Sequence, residues 1–453
     1  MPLAKPNAPG IAPLSGRDES ADEGKNGRQI FCNLPRFHCL RYIISEMASF
    51  PIERVRSSFP ALHDGFIFFD NAAGAQSPKL VLDTVADHLL NRNVQRGGRY
   101  PRSQEVDAAI DRARASVALL VNARTPDEIS FGMNATSFMR LISLAIGQSL
   151  KDRREIIVTD LDHEANIAVW LALERDGAKI LWWNFRDDGR LHPEDLEKLL
   201  SPRTRIVACT LASNAIGSIT DVARAARLAH AAGAEVFVDA VHYGPHGTID
   251  VQALNCDYLV CSGYKIFSPH MGFLWGRLEL LNALPTFREE FVPDTAPAKL
   301  EIGTYIYENV AGMDAAVSYL ENLGKQIAPA TTERRKALVA ATEAIRDYEV
   351  QLSQAMLEEL TKANATVYGI VEKDALRQRT PTLCFNLTGM PPAKVTAELA
   401  KRNIGVRDGH MYSPRLLRRF GLAKETGAVR ASLVHYNTLE EVRRFGSALA
   451  EIQ

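Results

Sequence analysis

The runs Glu235-Val236-Phe237-Val238-Asp239-Ala240-Val241-His242 and Tyr258-Leu259-Val260-Cys261-Ser262-Gly263-Tyr264-Lys265 decide the fold. Each is rich in apolar, β-branched and aromatic residues and too short for a helix. That is the pattern of a strand buried on both faces in a parallel sheet. Asp239 and Lys265 follow these apolar stretches and stand 26 positions apart. The carboxyl ends of such strands open on the crevice where open α/β sheets bind ligands. Taken singly, a lysine there is a solvated strand end and an aspartate a helix cap. The pair gains its meaning from the motifs around it.

Working outward, short apolar runs alternate with helical patterns from about residue 66. Strands are expected at Ile67–Phe69, Glu128–Phe131, Glu155–Thr159, Lys179–Trp183, Arg205–Thr210, Glu235–Asp239, Tyr258–Cys261 and Phe273–Trp275. Helices fit between them at Lys79–Asn91, Val106–Val121, Ser137–Gln148, Ala165–Asp176, Pro193–Leu200 and Val222–Ala232. This alternation predicts an α/β fold, a mostly parallel sheet with helices on both faces. After Gly312 the pattern changes. Helices at Met313–Leu323 and Thr331–Ala363 precede strands near Thr366–Ile370 and Thr382–Asn386, a helix at Pro392–Arg402 and a last helix from Leu439. The expected organisation is a large domain over 47–312 and a smaller α+β domain over 313–453. Residues 1–46 read as an extension without periodicity, expected to be disordered, with Met47 as an alternative start.

The chain has 453 residues, 46% hydrophobic and 24% charged, with a net charge of −1. That balance gives no electrostatic reason to expect nucleic acid or an anionic membrane as a partner, and no apolar run approaches a membrane span. The cysteines, Cys32, Cys39, Cys209, Cys256, Cys261 and Cys384, are sparse and several lie in expected strands. They suit free thiols in a reducing, cytoplasmic setting. No His or Cys pair completes a zinc site with Cys256 and Cys261, so no metal is expected.

A lysine and an aspartate at neighbouring strand ends suit pyridoxal 5'-phosphate (PLP): the lysine forms a Schiff base and the aspartate keeps the pyridine nitrogen protonated. The turn Gly132-Met133-Asn134-Ala135-Thr136-Ser137 leads from a strand into a helix, where backbone N–H groups cradle a phosphate. Ser262 adds a hydroxyl from the loop of Lys265. His163, just past Glu155–Thr159, is placed to stack on a ring or relay protons. Asn214 follows Arg205–Thr210 and is a candidate for a polar cofactor or substrate atom. His242 is placed to reach the ring hydroxyl, and Arg430, alone in the apolar run Val429–Leu433, suits a carboxylate clamp. The basic cluster Arg92, Arg96, Arg99 and Arg102 reads as a solvated loop or a phosphate- or substrate-facing one.

With these residues in view, the chain resembles the class V aminotransferase family, especially its cysteine desulfurases and selenocysteine lyases. The resemblance rests on Phe69-Asp70-Asn71-Ala72-Ala73-Gly74, His163 with Ala165-Asn166, Ser213-Asn214, Asp239-Ala240-Val241-His242 and Ser262-Gly263-Tyr264-Lys265. It continues through Glu301-Ile302-Gly303-Thr304, Arg407-Asp408-Gly409-His410 and Arg430-Ala431-Ser432-Leu433. It implies a type I PLP fold, a homodimer with sites at the subunit interface, and Lys265 as the Schiff-base lysine. It also implies Asp239 on the pyridine nitrogen, His163 on the ring face, and Arg430 with Asn214 on the substrate carboxylate. The chain departs from the family at His242, where glutamine is more usual, at Tyr264, where histidine is, and at Asn134-Ala135, where many relatives have two threonines. Where desulfurases carry the persulfide-forming cysteine, this chain has Tyr412, and a phenol cannot hold a persulfide. Transfer to a sulfur-acceptor protein is therefore doubtful. The expected chemistry is β-elimination, a C–S lyase reaction on an amino acid. Transamination, racemisation or epimerisation, and a catalytically idle PLP-fold binding protein are the alternatives.

Overall fold

The computed structural model describes residues 50–423 and 426–453. The extension read at 1–46, with Cys32, Cys39 and Met47, lies outside them. The strands, in chain order, are β1 (Ile67–Phe68), β2 (Ile129–Gly132), β3 (Glu155–Thr159), β4 (Lys179–Trp183), β5 (Thr204–Thr210), β6 (Glu235–Asp239) and β7 (Tyr258–Ser262). There follow β8 (Gly272–Gly276), β9 (Thr366–Tyr368), β10 (Thr382–Asn386), β11 (Ile404–Gly405), β12 (Arg407–Gly409) and β13 (Ala428–Ser432).

Seven strands form one sheet in the order β2-β8-β7-β6-β5-β3-β4. The pairs from β7 through β4 are parallel, and β8 runs antiparallel to both β7 and β2. Alternate residues of each central strand go to opposite faces, and both faces are covered. Val236 and Val238 of β6 join one core while Phe237 joins another. In β5, Val207 and Cys209 join the first core and Ile206 and Ala208 the second. This is why these strands read as unbroken apolar runs. Because β2 and the parallel strands point the same way, their carboxyl ends gather at one edge.

A second sheet, β12-β13-β10-β9, is antiparallel throughout. Its Leu383, Phe385, Val429 and Ala431 pack with Val442, Phe445 and Leu449 of the last helix and Leu352, Met356 and Leu360 of Arg334–Lys362. The run Ile67–Phe69 does not enter the large sheet: Ile67 and Phe68 pair in parallel with Ile404 and Gly405. The helix Tyr307–Ile327 runs through position 312, so the division at 312 stays a proposal.

Several helix starts lie upstream of the apolar pattern. The helix expected from Val106 begins at Pro101, whose missing N–H costs nothing in a first turn. The one expected from Ser137 begins at Ala135, capped by Asn134. The stretch Ala165–Asp176 divides into an α-helix to Leu171 and a 3-10 turn after it.

The helices Tyr307–Ile327 and Arg334–Lys362 cross tightly at Gly324, where a Cβ would run into the carbonyl of Ala337. Glycine to alanine inside a helix normally stabilises by about 1 kcal/mol. Here the clash reverses the sign. Gly324→Ala is expected to lose roughly 1–3 kcal/mol, read as a lowered Tm in thermal unfolding; an unchanged or raised Tm would contradict this crossing.

Candidate active site

The strand ends surround a cavity of about 320 Å³. Lys265, His163, Asp239, Ala135, Thr136, His242, Ser262, Tyr264, Asn214 and Arg430 all line it, with Arg407 and Tyr412. Asn134 is not among the lining residues. Its carboxamide oxygen accepts from Ser137 N at 2.9 Å and Ser137 Oγ at 3.1 Å, which spends it on capping the helix.

Asp239 closes β6, and Lys265 ends the 3-10 turn that follows β7. Both are buried. Burial pushes the Asp239 carboxyl up to about 6, against a hydrogen bond from Val241 N at 2.9 Å and the nearby Lys265 charge. Burial also draws the Lys265 ammonium down to about 7, aided by Arg430 and opposed by Asp70 and Asp239. Its Nζ donates to the Ala72 carbonyl and lies 4.9 Å from the centre of the Tyr264 ring. Tyr264 is itself stacked on His270 at 4.9 Å.

His163 comes from the loop after β3. Its Nδ1 accepts from Ala165 N at 3.0 Å, leaving Nε2 to carry the proton of the neutral ring. Burial, with Lys265 and Arg430, holds it near 4. Below it, Asp162 accepts from Thr159 Oγ1, Asn166 Nδ2 at 2.7 Å and Thr210 N at 3.0 Å, tying β3 to β5. His242 Nε2 sits 3.2 Å from Thr380 Oγ1, and burial keeps the ring neutral.

Asn214 and Arg430 are engaged within the protein. Asn214 Nδ2 donates to Met411 O at 2.7 Å, and its Oδ1 accepts from Ser413 Oγ at 3.1 Å. Arg430 donates to Asn214 O and to Asp70 Oδ1, each at 2.9 Å, while its buried Nε has no hydrogen-bond partner. Asp70 and Arg407 lie inside the quoted motifs, but the local sequence attaches no role to either. Their place comes from the register that sets Arg407 opposite Arg430 across β12 and β13. The basic cluster falls elsewhere: Arg92, Arg96 and Arg102 pair with Asp87, Asp107 and Glu105.

These residues fit PLP. A cradle exists where β2 turns into the helix Ala135–Gly147: Gly272 lies so close that a Cβ would collide with the backbone of Asn134 and Ala135. Ala135 N donates to Ser262 Oγ at 3.2 Å, and Thr136 faces the cavity from the same first turn, where N–H groups lie free of intrahelical bonds. A buried carboxylate and a buried amine then border one space.

Residues 67–445 match the family described as aminotransferase class-V. An aminotransferase-like protein of Gibberella zeae is 36% identical, the alignment covering 89% of this chain and 98% of that protein. A cysteine desulfurase of Synechococcus elongatus is 35% identical over 89% of this chain and 64% of its own length. Among solved structures, an apo cysteine desulfurase from Thermococcus onnurineus NA1 superimposes with a TM-score of 0.80 at 27% identity. That match covers 90% of this chain and 99% of that one.

The Asp239 shift sets a stability test. Between about pH 4, the ordinary carboxyl value, and pH 6 the folded cofactor-free protein holds a proton that the unfolded chain has released. Stability therefore falls as pH rises through that window. Asp239→Asn removes the cost, on the order of 3 kcal/mol. Cofactor-free Asp239→Asn is expected to melt a few degrees above the parent at pH 7.5 and level with it near pH 4. Equal melting at both pH values would show that Asp239 is not held in a desolvated site.

Proposed function

The chain belongs to the class V aminotransferase family, and we propose that it is a PLP-dependent C–S lyase that cleaves a sulfur-bearing amino acid by β-elimination. The observation that carries this reading is a cavity holding Lys265 and Asp239 but lined by no cysteine among the described residues. Cys209, Cys256, Cys261 and Cys384 are all buried and free. Burial pushes each of these thiols up, away from the thiolate that would attack sulfur.

Asp239 would hold the pyridine nitrogen, Lys265 the aldehyde carbon, and Ser262, Thr136 and the Ala135 turn the phosphate. When bound, PLP supplies an electron sink that stabilises negative charge at the substrate Cα. Burial leaves the Lys265 amine deprotonated readily near neutral pH, so its Nζ is placed to take the Cα proton. His163, neutral with its proton on Nε2, is placed to hand a proton to a departing group. Arg430, through the donors its protein partners leave free, is placed to hold the α-carboxylate, and Asn214 fixes the loop beside it. The net reaction with L-cysteine is cysteine plus water giving pyruvate, ammonia and hydrogen sulfide.

The Tyr412 loop supports elimination over sulfur capture. Tyr412 stacks on His163 with ring centres 5.5 Å apart. The loop is held by Glu164 N on Tyr412 O at 2.8 Å, by Asn214 on Met411 O, and by the ion pair of Arg415 with Glu164 at 3.0 Å. The loop carries no cysteine, and the Tyr412 phenol that stands in it cannot hold a persulfide. Exposed Leu90, Phe287 and Phe291 support assembly as a homodimer, and free buried cysteines support a cytoplasmic setting. No helix among the described residues is long and apolar enough to cross a membrane.

Product analysis with L-cysteine, cystine and cysteine conjugates tests the proposal. Pyruvate and ammonia are expected in equal amounts, with no alanine and no persulfide label on the protein. Borohydride should leave PLP covalently on Lys265, and Lys265→Ala should abolish turnover. Stoichiometric alanine with a labelled cysteine would overturn elimination in favour of desulfuration. A keto acid or the opposite enantiomer would redirect the reading to transamination or racemisation.

A further inference from the structure

Arg407 and Arg430 stand directly opposite each other on the antiparallel strands β12 and β13. Like charges in that position destabilise a sheet. The counter-charge is Asp70, carried there by the chain after β1 and bridged to Ser432 of β13. Arg430 Nη2 donates to Asp70 Oδ1 at 2.9 Å. Arg407 grips the other oxygen with two nitrogens, Nε at 2.9 Å and Nη2 at 2.8 Å from Oδ2. All three groups thus form one cluster at the cavity wall, and both arginines line the cavity.

The two arginines differ. Arg430 is 1% exposed, lines the cavity and gives each Nη one protein acceptor, while its buried Nε has no partner. Arg407 has a side chain 39% exposed and spends a bidentate face on Asp70. Two guanidinium groups and one carboxylate leave a single net positive charge, the complement of one substrate carboxylate. A second carboxylate would have to displace Asp70 from Arg407 and stand beside its charge. Repulsion between two such charges a few ångströms apart at an effective dielectric near 20 is large enough to exclude it.

We propose that Asp70 is the specificity-determining residue of this site: by occupying Arg407 it reserves the arginine pair for substrates with one carboxylate and turns away dicarboxylic amino acids. This rests on Arg430 being the clamp for the α-carboxylate. Asp70→Asn keeps the shape and an acceptor oxygen for Arg430, removes the charge, and releases Arg407 for a distal carboxylate.

The test titrates the PLP-loaded protein with propanoate and with butanedioate at fixed ionic strength, reading dissociation constants from the absorbance of the bound cofactor. Asp70→Asn is expected to raise the preference for butanedioate over propanoate by about tenfold, and adding Arg407→Gln should erase the gain. Any gain above about threefold that Arg407→Gln erases supports the proposal; a smaller gain, or one that survives Arg407→Gln, overturns it. Arg430→Lys separates the two readings. If it weakens propanoate while Asp70→Asn leaves the preference unmoved, the clamp stands and the role of Asp70 falls. If it does not weaken propanoate, the clamp itself is wrong and this inference falls with it. Should Asp70→Asn fail to fold, Arg407→Gln alone decides, at a partly exposed position. It leaves Asp70 to cancel Arg430, so propanoate should bind at least about threefold more weakly, and unchanged binding overturns the proposal.

Discussion

The site depends on holding two ionisable groups of opposite sign in one dry cavity without letting them neutralise each other. Asp239 and Lys265 are both buried, and each is driven toward its uncharged form. A direct ion pair would have fixed both charges. Instead Lys265 Nζ is bonded to the Ala72 carbonyl and Asp239 to Val241 N. The arrangement keeps a carboxyl and an amine separate in one space, as the proposed PLP site requires. Two ionisable groups at the ends of strands with solidly apolar interiors cost stability in the empty protein, which the two cores flanking the large sheet must offset.

The large sheet supplies only half of the cavity. Its strand ends bring Asp239, Lys265, Ser262 and the Ala135 turn, while Arg407, Tyr412 and Arg430 arrive from the last fifty residues. What joins the halves is the segment after β1. β1 itself pairs with β11, and the residues after it bridge to Ser432 through Asp70 and send Asn71 to the Ser432 carbonyl at 2.9 Å and to Asn437 at 3.1 Å. Tyr436 then donates to Asn71 Oδ1. Asn71 is buried and its carboxamide is paired on both its oxygen and its nitrogen, and Asp70 and Ala72 on either side of it take their places from that anchor. The electrostatics of the site are therefore tied to a backbone connection that bears no catalytic group.

What the sequence made legible follows the same division. The strands from Glu155 to Ser262 were readable because burial on both faces removes polar residues, leaving runs such as Val236-Phe237-Val238 with nothing to mask them. Lys265, Asp239 and His163 were readable because they sit beside those runs. The two-residue β1 and β11 carry too little pattern to show that they pair across more than 300 residues, and β12 holds a lone arginine among polar neighbours. The register of Arg407 against Arg430, and hence the need for Asp70, lies in tertiary pairing that no local period encodes. The same limit applies to Asn134 and Asn214. A carboxamide in a turn reads alike whether it meets a ligand, caps a helix or ties down a loop; Asn134 caps a helix, and Asn214 ties down a loop while also lining the cavity.

The Asn214 tie fixes the loop that walls the cavity beside His163. Met411 and Tyr412 both adopt left-handed backbone, with φ of 47° and 60°, a conformation that bulky residues rarely hold without compensation. The compensation is visible: the carbonyls of both residues accept hydrogen bonds, from Asn214 and from Glu164 N, and Tyr412 N donates to His410 Nδ1. A loop that must deliver a thiolate to a substrate and then withdraw with sulfur attached would gain nothing from being fastened in this way. A loop whose task is to wall the cavity beside His163 gains a fixed aromatic surface. The anchored Tyr412 ring and the strand ends thus line one cavity, each fixed by its own set of backbone hydrogen bonds.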